Sequence, residues 1–299
     1  MRIGISISSS HMDSDPREGA RKMVERARAA NEAGLDTMFV GDHHVTPFPY
    51  FQNNPMMGRM LAEWNDKPFG ALYLLPLWHP VTLAEQIGTL AAIAPGRFIM
   101  QCGLGDHRSG AAMGIDMKQR VGMFEASLNV MRALWRGEAV TETEYWNLSE
   151  AKISPVPAET VEVWIGSVVP AAIRRTARMG EGWLAAPSLT RDQAADAISL
   201  YRQACEEYDR EPTATALRRD IFVGATAEEA KSVVDQYISD GYRSMDPDCL
   251  MYGSVEGVAE QISTFSDMGF TDLCIRNISS NQDEALATLS RLADVKAML

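Results

Sequence analysis

The chain has 299 residues, of which 46% are hydrophobic and 23% charged, with a formal net charge of −12. That length suits one α/β barrel of about 250 residues and buries enough surface to need no disulfide or metal staple. The acidic balance excludes nucleic acid as the expected partner, because phosphate backbones want a basic face, but it leaves room for an anionic small molecule held locally. Cys102, Cys205, Cys249 and Cys274 form no CxxC pair, which speaks against a zinc ribbon and for a reducing compartment. The N-terminus turns polar after seven residues, and the longest apolar run, 69–78, is about half a membrane span. The expectation is a cytoplasmic protein without a membrane segment.

In chain order, short β-type runs alternate with longer helix-type runs. Residues 2–7 read as a strand and 16–33 as a helix, with Pro16 in its first turn and Gly34 as a stop. A second strand covers 35–40. The Pro-, Asn- and Met-rich stretch 44–68 reads as a long loop. Strand 69–75 precedes helix 80–94, strand 97–102 precedes helix 118–136, and 138–160 reads as irregular or a small hairpin. Strand 161–166, helix 170–179, strand 182–186 and helix 190–209 follow. The chain ends with strand 217–223, helix 226–239, a loop over 240–252, helix 253–268, strand 271–276 and a helix from about 282 to 297. Eight such alternations predict parallel pairing and a (β/α)8 TIM barrel formed by residues 1–299 as one domain, with 44–68 and 240–252 as insertions at its C-terminal mouth.

Sites in such barrels lie where strands end. Here the strand ends deliver Ser8–Ser10, Asp42-His43-His44, Pro76–His79, Gly103–His107, Ser167–Val169 and Arg276-Asn277. Neighbours on an extended segment face opposite ways, so His43 and His44 are poorly spaced for one metal ion. A histidine directed into the mouth suits proton transfer instead. The loop GLGDHRSG (103–110) fails the dinucleotide pattern because Arg108 stands where the third glycine belongs. Gly103 and Gly105 still let a ring or phosphate come close, and Asp106 and His107 bring polar groups beside them. At Ser167, Val168 and Val169, strand meets helix, and free N–H groups there would hold an anion.

Taken together, these segments resemble the bacterial-luciferase-like family of flavin-dependent oxidoreductases. The resemblance runs in order through EAGLDTMFVGDHH (32–44), LPLWHPVTLAEQIGTL (75–90), PGRFIMQCGLG (95–105), FEASLNVMRALWRGE (124–138), VWIGS (163–167), ARMGEGWLAAP (177–187) and GSVEGVAEQISTFSDMGFTDLCI (253–275). It implies a barrel that binds reduced FMN or the deazaflavin coenzyme F420 at its mouth. The ring would lie by Ala71-Leu72, where the family often has a non-prolyl cis peptide, and the phosphate at Ser167–Val169. His43 matches the family's catalytic histidine, with Asp42 orienting a neighbouring group, and Cys102 matches its reactive-site cysteine. The next position, arginine in the luciferases, is Gly103, with Arg108 or Arg174 as replacements for its charge.

The expected function is monooxygenation of a small organic substrate with reduced flavin and O2, fed by a separate flavin reductase. Hydride transfer with the deazaflavin coenzyme is the alternative. A non-catalytic flavin-binding protein and a metal-dependent hydrolase using His43, His44 and His107 are further alternatives. The resemblance also implies a homodimer, through helices 80–94 and 118–136.

Overall fold

A computed structural model describes residues 1–12 and 14–299. Its centre is a ring of eight parallel strands: β1 (Arg2–Ile7), β2 (Thr37–Val40), β3 (Phe69–Leu74), β4 (Phe98–Gly103), β5 (Glu162–Ser167), β6 (Gly182–Ala185), β7 (Ala214–Val223) and β8 (Asp272–Asn277). Pairing of β8 with β1 and of β6 with β7 closes the ring, and helices run between the strands, as the expected (β/α)8 barrel requires. Helix starts follow local chemistry. Asp15 Oδ1 accepts the N–H groups of Arg17 (2.9 Å) and Glu18 (3.2 Å), and proline occupies the first turn at Pro16, Pro80 and Pro170.

The period-two alternation of each strand sorts its residues into two cores. One set, including Ile3, Ile5, Ile7, Met38, Val40 and Cys102, packs outward under the helices. Phe39, Ile99, Trp164, Leu184, Ala214, Ala216 and Cys274 fill the inside of the ring. The Phe39 and Trp164 rings lie 5.6 Å apart there. Room for the indole depends on Gly182, where a Cβ would come within 2.5 Å of Trp164 Cδ1.

Several boundaries differ from the expectation for physical reasons. The 44–68 stretch is not loop throughout. It holds a helix, Asn53–Met60, and a 3-10 turn, Leu61–Glu63, that bury Met57, Met60 and Leu61. Asn53, Asn54, Pro55 and Gly58 are weak helix formers, so tertiary burial overrides propensity here. The 240–252 stretch ends in a strand, Leu250–Gly253, whereas the small hairpin expected within 138–160 is present as Val140–Glu142/Leu148–Ala151. β7 starts three residues before the expected position, at small residues that carry no apolar signal. Among the described residues no helix is long and apolar enough to cross a membrane.

β7 also changes neighbours along its length. Ala214–Leu217 pair with β6, whereas Asp220–Val223 pair with Leu250–Gly253. Between them Arg219 turns outward and is buried. Its guanidinium donates to Leu189 O (2.7 Å) and Pro187 O (3.4 Å), and stacks 4.8 Å from the Phe265 ring.

Candidate active site

At the mouth the same alternation decides which side chains meet. Beyond β2, positions in phase with Phe39 bring Gly41 and His43 to a cavity of about 340 Å³. Its wall includes Ser6 and Ser8 from β1 and the segment after it, Leu72 from β3, Arg218 from β7 and Arg276 from β8. Phe48 and Tyr50 cover it from the excursion after β2. The Tyr50 ring stands edge-on to His43 with centroids 5.3 Å apart. Burial lowers the His43 pKa below its ordinary value, against the pull of the Asp42 and Asp106 carboxylates, and Arg108 and Arg218 push the same way as burial. That shift favours the neutral imidazole.

Asp42 is 2% exposed and acts as a tie. Its Oδ2 accepts Leu74 N and Trp78 Nε1, both at 2.8 Å, and Asn53 Nδ2 reaches its Oδ1 at 3.5 Å. His44 turns away from the cavity, with its ring 5.3 Å from Trp78. Its Nε2 lies 3.1 Å from Asp42 Oδ1, at an angle too oblique for a good hydrogen bond. Asp106 caps the short helix His107–Ala112, accepting Ser109 N (2.9 Å) and Ser109 Oγ (2.8 Å). Burial pushes its carboxyl up, but those bonds and Arg108 hold it below the ordinary value.

Other expected site residues fall elsewhere. Cys102 points outward, is fully buried and directs its thiol to Trp164 O at 3.7 Å. Burial pushes its pKa far up, so it is a packing residue that cannot touch a ligand at the mouth. Ala71 likewise packs outward, so of the Ala71-Leu72 pair only Leu72 faces the cavity. The peptide between them is trans, and the cis bond among the described residues is Ser154–Pro155. Arg174 pairs with Glu207 at 2.5 Å, and Arg108 holds the carbonyls of Val45 (2.6 Å) and His44 (3.5 Å). Neither stands in for the arginine absent at Gly103. His107 bonds to Arg120 at 3.0 Å, and the described residues contain no group of three or more His, Cys, Asp or Glu able to hold a metal. The metal-dependent alternative has no constellation to rest on.

The other side of the mouth is poor in side chains. Gly103 and Gly166 are the inward positions at the ends of β4 and β5, and a Cβ at either would meet nothing closer than 3.4 Å. Gly105, at φ +74°, turns the chain beside Leu74 and Leu77. Next to this floor, the helix Pro170–Met179 starts without a side-chain cap, and Val168 and Val169 are exposed. The Ser167 hydroxyl is bonded to Thr176 Oγ1 at 2.9 Å, so any anion there would be held by main-chain N–H groups. The glycine floor leaves room for a flat group, and the uncapped helix start leaves main-chain N–H groups for an anion. Sequence reasoning missed Arg218, Arg243 and Tyr50. The signal for the first was LRRDI, an unlikely charge pair inside a buried parallel strand.

Beside the cavity, His11 is 6% exposed and its Nε2 lies 3.2 Å from Ser8 O. Burial, helped by Arg26, lowers its pKa from 6.5 to about 4. Between those values the unfolded chain binds the extra proton, so His11 contributes its full stability above pH 6.5 and loses it as pH falls toward 4. Urea titrations should show a decline of about 2 kcal/mol over that window, flattened in His11→Gln. An identical slope in the variant would remove His11 as the cause.

The match with known proteins is consistent with this geometry. The luciferase-like monooxygenase family matches residues 1–250, and the chain belongs to that family of oxidoreductases. Among its relatives is an F420-dependent glucose-6-phosphate dehydrogenase of Nakamurella multipartita, 31% identical over 60% of this chain and 57% of that protein. The enzyme of the same name from Intrasporangium calvum is 26% identical over 93% of this chain and 94% of its own length. An F420-dependent secondary alcohol dehydrogenase, solved with an F420–acetone adduct, superposes with a TM-score of 0.82 at 18% identity, covering 98% of both chains. The oxygenating constituent of 3,6-diketocamphane monooxygenase from Pseudomonas putida, solved with FMN, gives 0.80 at 19% identity, covering 98% of this chain and 96% of its own.

Proposed function

We propose that the protein is a deazaflavin-dependent oxidoreductase that moves hydride between coenzyme F420 and a small hydroxylated substrate. The observation that carries this reading is the division of the mouth. A glycine floor (Gly103, Gly166) at the ends of β4 and β5 suits a flat ring, and a separate polar cavity, which His43 lines, suits a substrate. The dehydrogenase names of the relatives favour this reading over reduced FMN and O2. When bound, the coenzyme supplies a ring carbon that accepts or releases hydride.

The chain's residues do the rest. Leu72 and the glycine positions give the ring a surface, and N–H groups at Val168 and Val169 hold its phosphate. His43 Nε2 or Nδ1 takes the substrate hydroxyl proton as the carbinol C–H leaves with its electron pair, and returns the proton in the reverse direction. Asp42 fixes the end of β2 against the start of the β3 loop so that His43 stays aimed. Phe48 and Tyr50 limit water at the reacting atoms. A homodimer remains part of the proposal, although at Gly88 the helix Pro80–Ile93 is already covered by Pro155.

The deciding experiment titrates the protein with coenzyme F420 and with reduced FMN, each with and without oxygen, following absorbance. Micromolar binding of F420 and alcohol-dependent reduction of it without oxygen are expected. Tight binding of reduced FMN with oxygen-dependent turnover, and none with F420, would instead establish the monooxygenase reading with its flavin reductase. Binding without turnover of either would leave a flavin-binding protein.

A further inference from the structure

Three guanidiniums stand on one side of the mouth, and the hydride-transfer chemistry uses none of them. Arg218 occupies an inward position of β7 and Arg276 one of β8, with Arg276 opposite Asp220 and Cys274 opposite Arg218 in the ladder. Arg243 comes from the segment after the helix Ala227–Ser239. Its φ of 48°, followed by 52° at Ser244, is left-handed backbone that residues other than glycine adopt at a cost. That turn carries the Arg243 guanidinium onto the Asp220 carboxylate. All three arginines line the cavity that His43 lines.

Their partners do not match them. Asp220 is fully buried, and its Oδ2 accepts both Tyr242 Oη (2.9 Å) and Arg243 Nη1. Among the described residues, the buried Nε atoms of Arg218 and Arg276 have no hydrogen-bond partner, and Arg276 Nη2 reaches only Ser8 Oγ at 3.4 Å. Asp42, the carboxylate on the cavity wall, is turned to Leu74 N and Trp78. Three positive groups thus face two carboxylates, and of Asp220 only Oδ2 is engaged, its buried Oδ1 having no partner among the described residues, so the cluster keeps one more positive charge than negative. Buried donors are rarely left unpaired, and the guanidinium fork matches a carboxylate or phosphate.

We infer that Arg218, Arg243 and Arg276 form the recognition site for an oxyanion on the substrate, which is therefore a small phosphorylated or carboxylated hydroxy compound. The inference rests on the reading of His43 as the centre of hydride transfer, and not on which coenzyme serves it. Anion binding by the arginines would orient the reacting carbon toward His43, and a cavity of about 340 Å³ limits the substrate to a few carbons beyond the anion. The phosphate of the coenzyme is the other source of the same chemistry. The proposed place of that phosphate is the β5 side, away from the arginines of β7 and β8.

Calorimetric titration with inorganic phosphate at low ionic strength separates the two sources. Protein saturated with coenzyme F420 should still bind one phosphate. Arg218→Gln and Arg276→Gln should each weaken that binding at least tenfold, about 1.4 kcal/mol, while F420 affinity stays within about threefold of wild type. If a glutamine variant fails to fold, Arg276→Lys keeps the charge but removes the fork, and a clear loss of phosphate affinity is expected from it as well. Exclusion of phosphate by F420, no saturable phosphate binding, or unchanged affinity in both glutamine variants would overturn the assignment. Should F420 fail to bind at all, the deazaflavin reading falls alone, because the variants still report on phosphate in the coenzyme-free protein.

Discussion

Replacing His43 with alanine is expected to lower turnover by about 10²–10⁴-fold, the range that one positioned proton donor or acceptor supplies. Coenzyme affinity should barely change, because the ring surface proposed above, Leu72, Gly103 and Gly166, lies on other strands. The pH profile gives a second readout. Burial holds the His43 pKa below 6.5, so the neutral base persists below that pH and the acid limb of kcat/KM falls on its acid side. In the variant that limb should vanish along with the rate. A loss smaller than threefold, or an unchanged acid limb, ends the assignment.

Asp42→Ala should be the most destabilising single change at the mouth, by about 3–5 kcal/mol. The carboxylate accepts Leu74 N and Trp78 Nε1 at 2.8 Å each in a buried setting. Alanine would leave both donors unpaired. It would also release the tie between the end of β2, the end of β3 and Asn53 on the following helix. Urea unfolding followed by tryptophan emission measures the cost. Asp42→Asn keeps one acceptor oxygen and turns its amide toward a donor, so roughly half the loss is expected. If both variants unfold at the wild-type midpoint, Asp42 is not the tie described here.

Much of this architecture was legible in the sequence, and the reasons are specific. Alternating apolar runs and helix periodicity locate all eight barrel strands, because parallel strands buried on both faces read as near-continuous hydrophobic runs. The doublet at 43–44 was separable by strand geometry, and Gly41 and His43 do share the inward phase of Phe39. The same rule holds on β4. Cys102 lies out of phase with the inward Ile99 and belongs to the outer core. Family likeness suggested contact where alternation argued against it. The helix Asn53–Met60 was hidden by its Asn, Pro and Gly content. Tyr50 and Arg243 were illegible for another reason: each reaches the cavity from an excursion whose path is set by tertiary contacts such as Phe51 N to Ser9 O (2.9 Å), which leave no periodic trace.

The mid-strand change of partner in β7 has a consequence for how this pocket can be altered. A closed ring normally resists local widening, because any spread breaks main-chain bonds on both sides of a strand. Here the wall between Leu217 and Asp220 is bridged by the Arg219 side chain to Pro187 and Leu189. The ring has a seam at the height of the arginines and away from the glycine floor. Lengthening the segment 186–190 or 244–249 is therefore expected to resize the arginine-lined cavity while the β4–β5 side keeps its ladder. Substrate range can diverge at that seam without rebuilding the rest of the barrel.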